Sequence, residues 1–346
     1  MFKKMIVAIV MVTMITTVAF AQQREITGAG ASFPLPLYQK MFDEYSRVKD
    51  RVNYQSIGSG AGINQLISKT IDFGGTDAIV DPQIEKNAGD TIIHVPTCLG
   101  AVVITYNIPG NPKLKLNADI IADIFLGNIT NWNDSKIAAL NPGVSLPRNL
   151  RITVVTRAEA SGTTFIFTEY LTKTNKAFAE KIGAGTSVDW GRIAQGQRGN
   201  QGVAGLVSQT PGAVGYVELI YAISNNMLFA DVRNKAGNFI TPNMESVSLA
   251  ANVNIPQDTK VSLVDTDAPN GYPISSFTWV IIFQEQNYNN RPIEQATATV
   301  NLIKWMITDG QAFASALNYA PLPEAAKNAG LELLKKVTFS GKTVAN

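Results

Sequence analysis

Val52-Asn-Tyr-Gln-Ser-Ile-Gly-Ser-Gly-Ala-Gly-Ile-Asn-Gln-Leu-Ile67 packs a strand, a turn and a helix start into one short stretch. β-formers over Val52–Ile57 predict the strand, Gly58 to Gly62 the turn, and Ile63, Leu66 and Ile67 recur at helical spacing. Upstream, Ile26 to Ala29 reads as a strand running into a turn. Pro34 suits the first position of a helix, along which Phe33, Leu37, Met41 and Tyr45 recur at i, i+4, i+8 and i+12. Downstream, Ile71-Asp-Phe73 is a further short strand, ending in Gly74-Gly75 and then Asp77. Strand, glycine turn and helix start in succession predict a parallel α/β sheet with ligands at the carboxyl ends of its strands.

The same grammar continues along the chain. Thr91–Pro96 and Leu99–Tyr106 read as two apolar strands, and Asp119 to Leu126 as a helix. Ile152 to Thr156 is a strand that delivers Arg157, and Ile166, Phe167, Tyr170 and Leu171 give the helix after Thr163 its spacing. Gly199 to Gly202 opens a helix through Val203 to Val207. Val214–Val217 and Thr278–Phe283 are strand-like, and Leu302 to Leu317 reads as an amphipathic helix. Trp132, Trp190, Trp279 and Trp305 are assigned to core or surface packing, and Arg192 and Arg198 to solvent.

The N-terminus has the pattern of an export signal. Lys3 and Lys4 precede an almost uncharged run from Met5 to Phe20, and Ala19-Phe20-Ala21 matches a small-x-small cleavage site. Cleavage after about Ala21 predicts a soluble protein outside the cytoplasmic membrane; an uncleaved anchor is the alternative. The chain has 346 residues, with 29 Lys and Arg against 27 Asp and Glu. Losing Lys3 and Lys4 leaves equal numbers of each sign, which argues against nucleic acid as a partner. The length that remains suits two domains better than one core. Cys98 is the single cysteine, so no intrachain disulfide can form.

Three segments carry the candidate chemistry: Ser32-Phe33-Pro34, Ser59-Gly60-Ala61-Gly62 and Arg157-Ala-Glu-Ala-Ser161-Gly162-Thr163. Each places hydroxyls and unpaired backbone N–H groups at a helix start, and the third adds a guanidinium. Together they make a socket for a tetrahedral oxyanion. Taken singly, each has a structural alternative. Ser59 could be an ordinary helix cap, Asp77 could cap the turn at Asp81-Pro82-Gln83 or face solvent, and Arg157–Glu159 could be a surface ion pair. His94 is the single histidine and lies in an apolar strand, so zinc clusters and Ser-His or Cys-His nucleophiles are disfavoured. Asp72, Asp77 and Asp81 are too irregular for a calcium loop. Gly28-Ala-Gly30 fails as a dinucleotide fingerprint, since Phe33 stands where the third glycine belongs.

Thr27-Gly-Ala-Gly-Ala-Ser32-Phe33-Pro34, Val52 to Ser59, Asp72-Phe-Gly-Gly-Thr-Asp77 and Arg157 to Thr163 together resemble the periplasmic phosphate-binding proteins. These are the soluble receptors of the phosphate-specific ABC transporter. Pro211-Gly-Ala-Val-Gly-Tyr-Val-Glu218 and Leu317-Asn-Tyr-Ala-Pro-Leu-Pro323 extend the resemblance to about Pro323. It implies a two-lobed Venus-flytrap (type II periplasmic-binding-protein) α/β fold with two hinge crossings. Residues 22–101 and 275–346 would form one lobe, and 102–274 the other. The ligand set it implies is the hydroxyls of Ser32 and Ser59, the Phe33 N–H, Asp77, Arg157, and the hydroxyl and backbone donors of Ser161, Gly162 and Thr163. Glu159 stands where Asp is familiar and would orient Arg157 through a longer arm. The partners it implies are inorganic phosphate and an inner-membrane permease; a monomer is expected, with no cofactor, no metal and no catalytic residue.

One carboxylate among donors has a chemical use of its own. Phosphate near neutral pH keeps a P–OH that Asp77 can accept, whereas fully ionised sulfate would set two acceptors face to face. A receptor for sulfate or molybdate is therefore the nearer alternative, and a secreted phosphatase the more distant one.

Overall fold

The computed structural model describes residues 23–344. The export-signal reading and its cleavage site lie outside the described residues. No helix among those described is long and apolar enough to cross a membrane.

A nine-stranded sheet runs through the molecule. Its first half holds Arg51–Ser56, Glu25–Gly30, Phe73–Thr76, Ser275–Phe283 and the front of Ile92–Tyr106, side by side in that order. Its second half holds the rest of Ile92–Tyr106, then Ala213–Glu218, Thr153–Arg157 and Ala194–Gln197, and the ninth strand, Leu228–Phe229, pairs with the end of Ile92–Tyr106. The long strand therefore belongs to both. Ile92 to Ala101 pairs antiparallel with Ser275–Phe283, and from Val102 onward the partner becomes Ala213–Glu218.

In the first half, Glu25–Gly30 runs parallel to both Arg51–Ser56 and Phe73–Thr76. In the second, Thr153–Arg157 runs parallel to both Ala194–Gln197 and Ala213–Glu218. Of these, Thr153–Arg157 and Ala213–Glu218 are almost wholly buried, as strands covered on both faces are, whereas the edge strand Arg51–Ser56 alternates between exposed and half-buried positions. Helices Leu35–Val48, Ser59–Ile67, Gly162–Thr174 and Gly199–Gln209 each begin within a few residues of a strand's carboxyl end.

Several expectations change. Thr91–Pro96 and Leu99–Tyr106 are one strand of 15 residues. Pro96 supplies no N–H, and the ladder steps past it by a bulge, with Trp279 opposite Pro96 and Thr278 opposite Cys98. The strand expected at Ile71–Phe73 begins at Phe73 and runs to Thr76. Asp72 instead accepts from the Thr27 N–H at 2.8 Å and from Arg291 Nη2 at 2.8 Å. The helix expected over Leu302–Leu317 spans Ile293–Ile307, and two 3₁₀ turns, Asp309–Phe313 and Ser315–Leu317, follow it. Thr308 leaves helical geometry there, and a 3₁₀ turn's i, i+3 spacing carries the apolar pattern onward without an α-helix.

Candidate functional site: a ring of donors around a buried carboxylate

The parallel strands deliver polar residues at their carboxyl ends. In the first half these are Ser32 and Ser59, each beyond a turn, and Asp77. In the second half they are Arg157, Asn200 and Glu218. All six are buried.

Ser59 sits at the seam. Its Oγ accepts from the Gly162 N–H at 3.1 Å and from the Asp77 N–H at 3.3 Å, so one hydroxyl joins three of the expected residues. The Gly60 N–H donates to the Ala160 carbonyl at 3.1 Å beside it. Gly162 has no room for a side chain: a Cβ there would lie 2.5 Å from Ser59 Oγ and 2.6 Å from Asp77 Oδ2. The reading of Ser59 as an ordinary helix cap does not hold, because its bonds reach other segments.

Asp77 is 2% exposed. Oδ1 accepts from the Thr278 hydroxyl at 2.7 Å, and among the described residues Oδ2 has no hydrogen-bond partner. Burial lifts the carboxyl from its ordinary 3.8 to about 7, while the Thr278 bond and the Arg157 charge pull the other way. It neither faces solvent nor caps the next helix; that cap is Asp81, accepting from the Gln83 N–H at 2.7 Å.

Arg157 is 6% exposed, so its pair with Glu159 is no surface ion pair. Nε donates to Glu159 Oε1 at 2.9 Å, Nη2 donates to the same oxygen, and Nη1 donates to Thr163 Oγ1 at 3.2 Å. Glu159 Oε1 also accepts from the Gly199 N–H at 3.0 Å, which ties the guanidinium to the next helix start. Ser161 caps helix Gly162–Thr174 by accepting from the Thr164 N–H at 3.2 Å, and the Thr163 N–H in that first turn makes no hydrogen bond among the described residues.

Phe33 is held from behind. Three consecutive carbonyls of its turn each accept a tyrosine hydroxyl: Ala31 from Tyr54 at 2.9 Å, Ser32 from Tyr221 at 2.6 Å, and Phe33 from Tyr319 at 2.6 Å. The phenols come from three separate segments and fix the orientation of the turn's peptide units. Among the described residues the Phe33 N–H makes no hydrogen bond. Burial drives the Tyr54 and Tyr319 hydroxyls well above their ordinary range, so they stay protonated donors.

Four participants escaped the sequence reading. Asn200 donates from N and Nδ2 to Ser32 Oγ at 3.1 and 2.9 Å, and from Nδ2 to Thr163 Oγ1 at 3.1 Å. Its Oδ1 accepts from the Glu218 N–H at 2.8 Å. Thr278 holds Asp77, and Tyr216 accepts from the Arg157 N–H at 3.3 Å. Glu218 caps the following turn at the Ile220 N–H, 2.7 Å away, and burial pushes its carboxyl well up. Gly199-Asn-Gln-Gly202 carried a signal for Asn200, since it repeats the strand, glycine turn and helix start found elsewhere, and Tyr216 and Glu218 lie in the Pro211–Glu218 segment, to which the sequence reading gives no role in the site. His94, by contrast, is structural as expected: buried, with Nε2 accepting from the Val80 N–H at 3.1 Å, and lowered by burial to about 3.

A family profile described as a PBP superfamily domain matches residues 17–310. The phosphate-binding protein PstS of Pasteurella multocida is 38% identical, covering 99% of this chain and 96% of its own. The phosphate-binding protein PstS of Xylella fastidiosa (strain 9a5c) is 39% identical over 89% of this chain and 85% of its own. Among solved structures, a high-affinity periplasmic phosphate-binding protein with phosphate bound (PfluDING) aligns with a TM-score of 0.70 at 21% identity, covering 90% of this chain and 98% of that one. A phosphate-binding protein from Stenotrophomonas maltophilia aligns at 0.65 and 20% identity, with 89% and 93% covered.

Proposed function

The chain belongs to the PBP superfamily and, within it, to the phosphate-binding proteins named PstS, and from that we propose how this particular sequence takes up its ligand. It captures inorganic phosphate for ABC-type import. In our reading the hydroxyls of Ser32 and Ser59, the backbone N–H groups of Phe33 and Thr163, the hydroxyls of Ser161 and Thr163, and the Arg157 guanidinium donate to the phosphate oxygens, while Gly162 lines the site with its N–H held by Ser59. Asp77 accepts the hydrogen of the remaining P–OH. The observation that carries this is the joining of Ser59, Asp77 and Gly162 through one hydroxyl, with Arg157 charge felt at Asp77.

The two lobes comprise residues 22–101 with 275–346, and 102–274, with the change of strand partner between Ala101 and Val102 supporting the first crossing. Closure of one lobe on the other brings Gly162 against Ser59, and phosphate favours that state by bonding to both sides. The protein works in the periplasm as a monomer after cleavage near Ala21, and hands phosphate to an inner-membrane permease. It performs no chemistry on its ligand.

Calorimetric titration of dialysed protein with phosphate, sulfate and molybdate tests this reading, with a phosphate-ester hydrolysis assay alongside. A phosphate Kd of about 1 μM or tighter, equivalent to about 8 kcal/mol, with sulfate at least about tenfold weaker, is the expected result. Preference for sulfate or molybdate, or turnover of the ester, would overturn it.

A further inference from the structure

A hydroxyl has two lone pairs and one hydrogen, so two incoming donors leave it able only to donate. Ser59 Oγ is in that position, filled by the N–H groups of Gly162 and Asp77. Ser32 Oγ and Thr163 Oγ1 are as well, and both owe it to Asn200. The backbone N–H and Nδ2 of Asn200 fill Ser32 Oγ; Nδ2 and Arg157 Nη1 fill Thr163 Oγ1. The amide's two hydrogens are thus divided between two hydroxyls on different segments. Its orientation is fixed as well, because Oδ1 takes the Glu218 N–H at 2.8 Å, and a flipped amide would set two donors together there. Asn200 is fully buried, so no solvent competes for these bonds.

We propose that Asn200 is a positioning residue that turns the Ser32 and Thr163 hydroxyls into obligate donors, so that an anion between them meets only hydrogens. This rests on the phosphate-site reading above. It also adds a requirement to that reading: a hydroxyl presents its hydrogen to the anion only if something else fills its lone pairs. The same side chain spans the expected cleft, since Ser32 follows the first strand of one half-sheet and Thr163 the Arg157 strand of the other. Tyr221 reinforces the tie by donating to the Ser32 carbonyl from the second half.

The test is a mutant cycle read by calorimetry with phosphate, alongside melting curves of the phosphate-free proteins. Asn200→Ala is expected to raise Kd about 30-fold through two misdirected hydroxyls. In a Ser32→Ala/Thr163→Val background the same change should alter Kd by less than about threefold, because the hydroxyls it directs are gone. An undiminished effect in that background, or a wild-type Kd in the single variant, would overturn the inference. If Asn200→Ala does not fold, Asn200→Ser runs the same cycle with a small polar group left at the Glu218 N–H. A wild-type chain indifferent to phosphate would remove the site reading and this inference together; phosphate binding with an undiminished Asn200 effect removes this inference alone.

Discussion

Asp77→Asn is expected to strengthen the phosphate-free protein while weakening its discrimination between anions. Asp77 is buried with one oxygen unpartnered among the described residues and the other held by Thr278 alone, and its carboxyl titrates near 7 instead of 3.8. Arg157 is the cation that pulls it down, and buried Glu218 is the other carboxyl close enough to interact with it. Well below pH 4, folded and unfolded chains both hold the proton and nothing is lost. Between about pH 4 and pH 7 the folded chain keeps a proton that the unfolded chain has released, so stability falls by about 1.4 kcal/mol per unit as pH rises. Above pH 7 the loss is complete, at about 4 kcal/mol. Asparagine has no such titration. Urea unfolding followed by tryptophan fluorescence, on dialysed wild type and variant, should show the variant's advantage growing by about 3 kcal/mol between pH 5 and pH 8. Equal differences at the two pH values would refute the reasoning, because the folded carboxyl would then titrate as the unfolded one does. In the same samples the phosphate-over-sulfate ratio should fall at least about tenfold, the worth of one charged hydrogen bond.

Three further outcomes follow from the same geometry. Gly162→Ala puts a methyl against Ser59 Oγ and Asp77 Oδ2, so phosphate affinity should drop about 100-fold by calorimetry. Thr278→Val removes the single hydrogen bond that lowers the Asp77 carboxyl. It should cost about 1–3 kcal/mol at pH 8 and less at pH 4, where the folded carboxyl is neutral in wild type and variant alike; a loss independent of pH in urea unfolding would contradict this. Arg157→Lys keeps the charge but loses the fork shared between Glu159 and Thr163, and phosphate Kd should rise about 10- to 100-fold by calorimetry.

The parallel half-sheets were legible because their punctuation is local: Gly58 breaks the run just past the end of Arg51–Ser56, although Gly74-Gly75 lie inside Phe73–Thr76 and not at its end. Ser59, Asp77 and the Arg157–Thr163 segment were legible for the same reason, each being a polar group placed just past such a break. Pairing at a distance was not legible. Nothing near Thr278 announces Asp77, more than two hundred positions earlier in the chain, and nothing near Tyr54, Tyr221 or Tyr319 announces the three carbonyls they hold. Pro96 misled for a physical reason, since a proline in a central strand argues for a break unless a bulge lies beside it. The C-terminal helix misled because a 3₁₀ turn imitates an α-helical apolar pattern over one or two repeats.

Strand Ser275–Phe283 lies in the middle of the first half-sheet, between Phe73–Thr76 and the long strand. Its neighbours are therefore made early in synthesis and it is made late. Until about four-fifths of the polypeptide exists, the earliest elements have a gap where their central plank belongs. Closing so large a loop is slow, as it is for any topology rich in distant contacts. A nascent chain with that wiring holds an unfinished first half-sheet until its last fifth is being made.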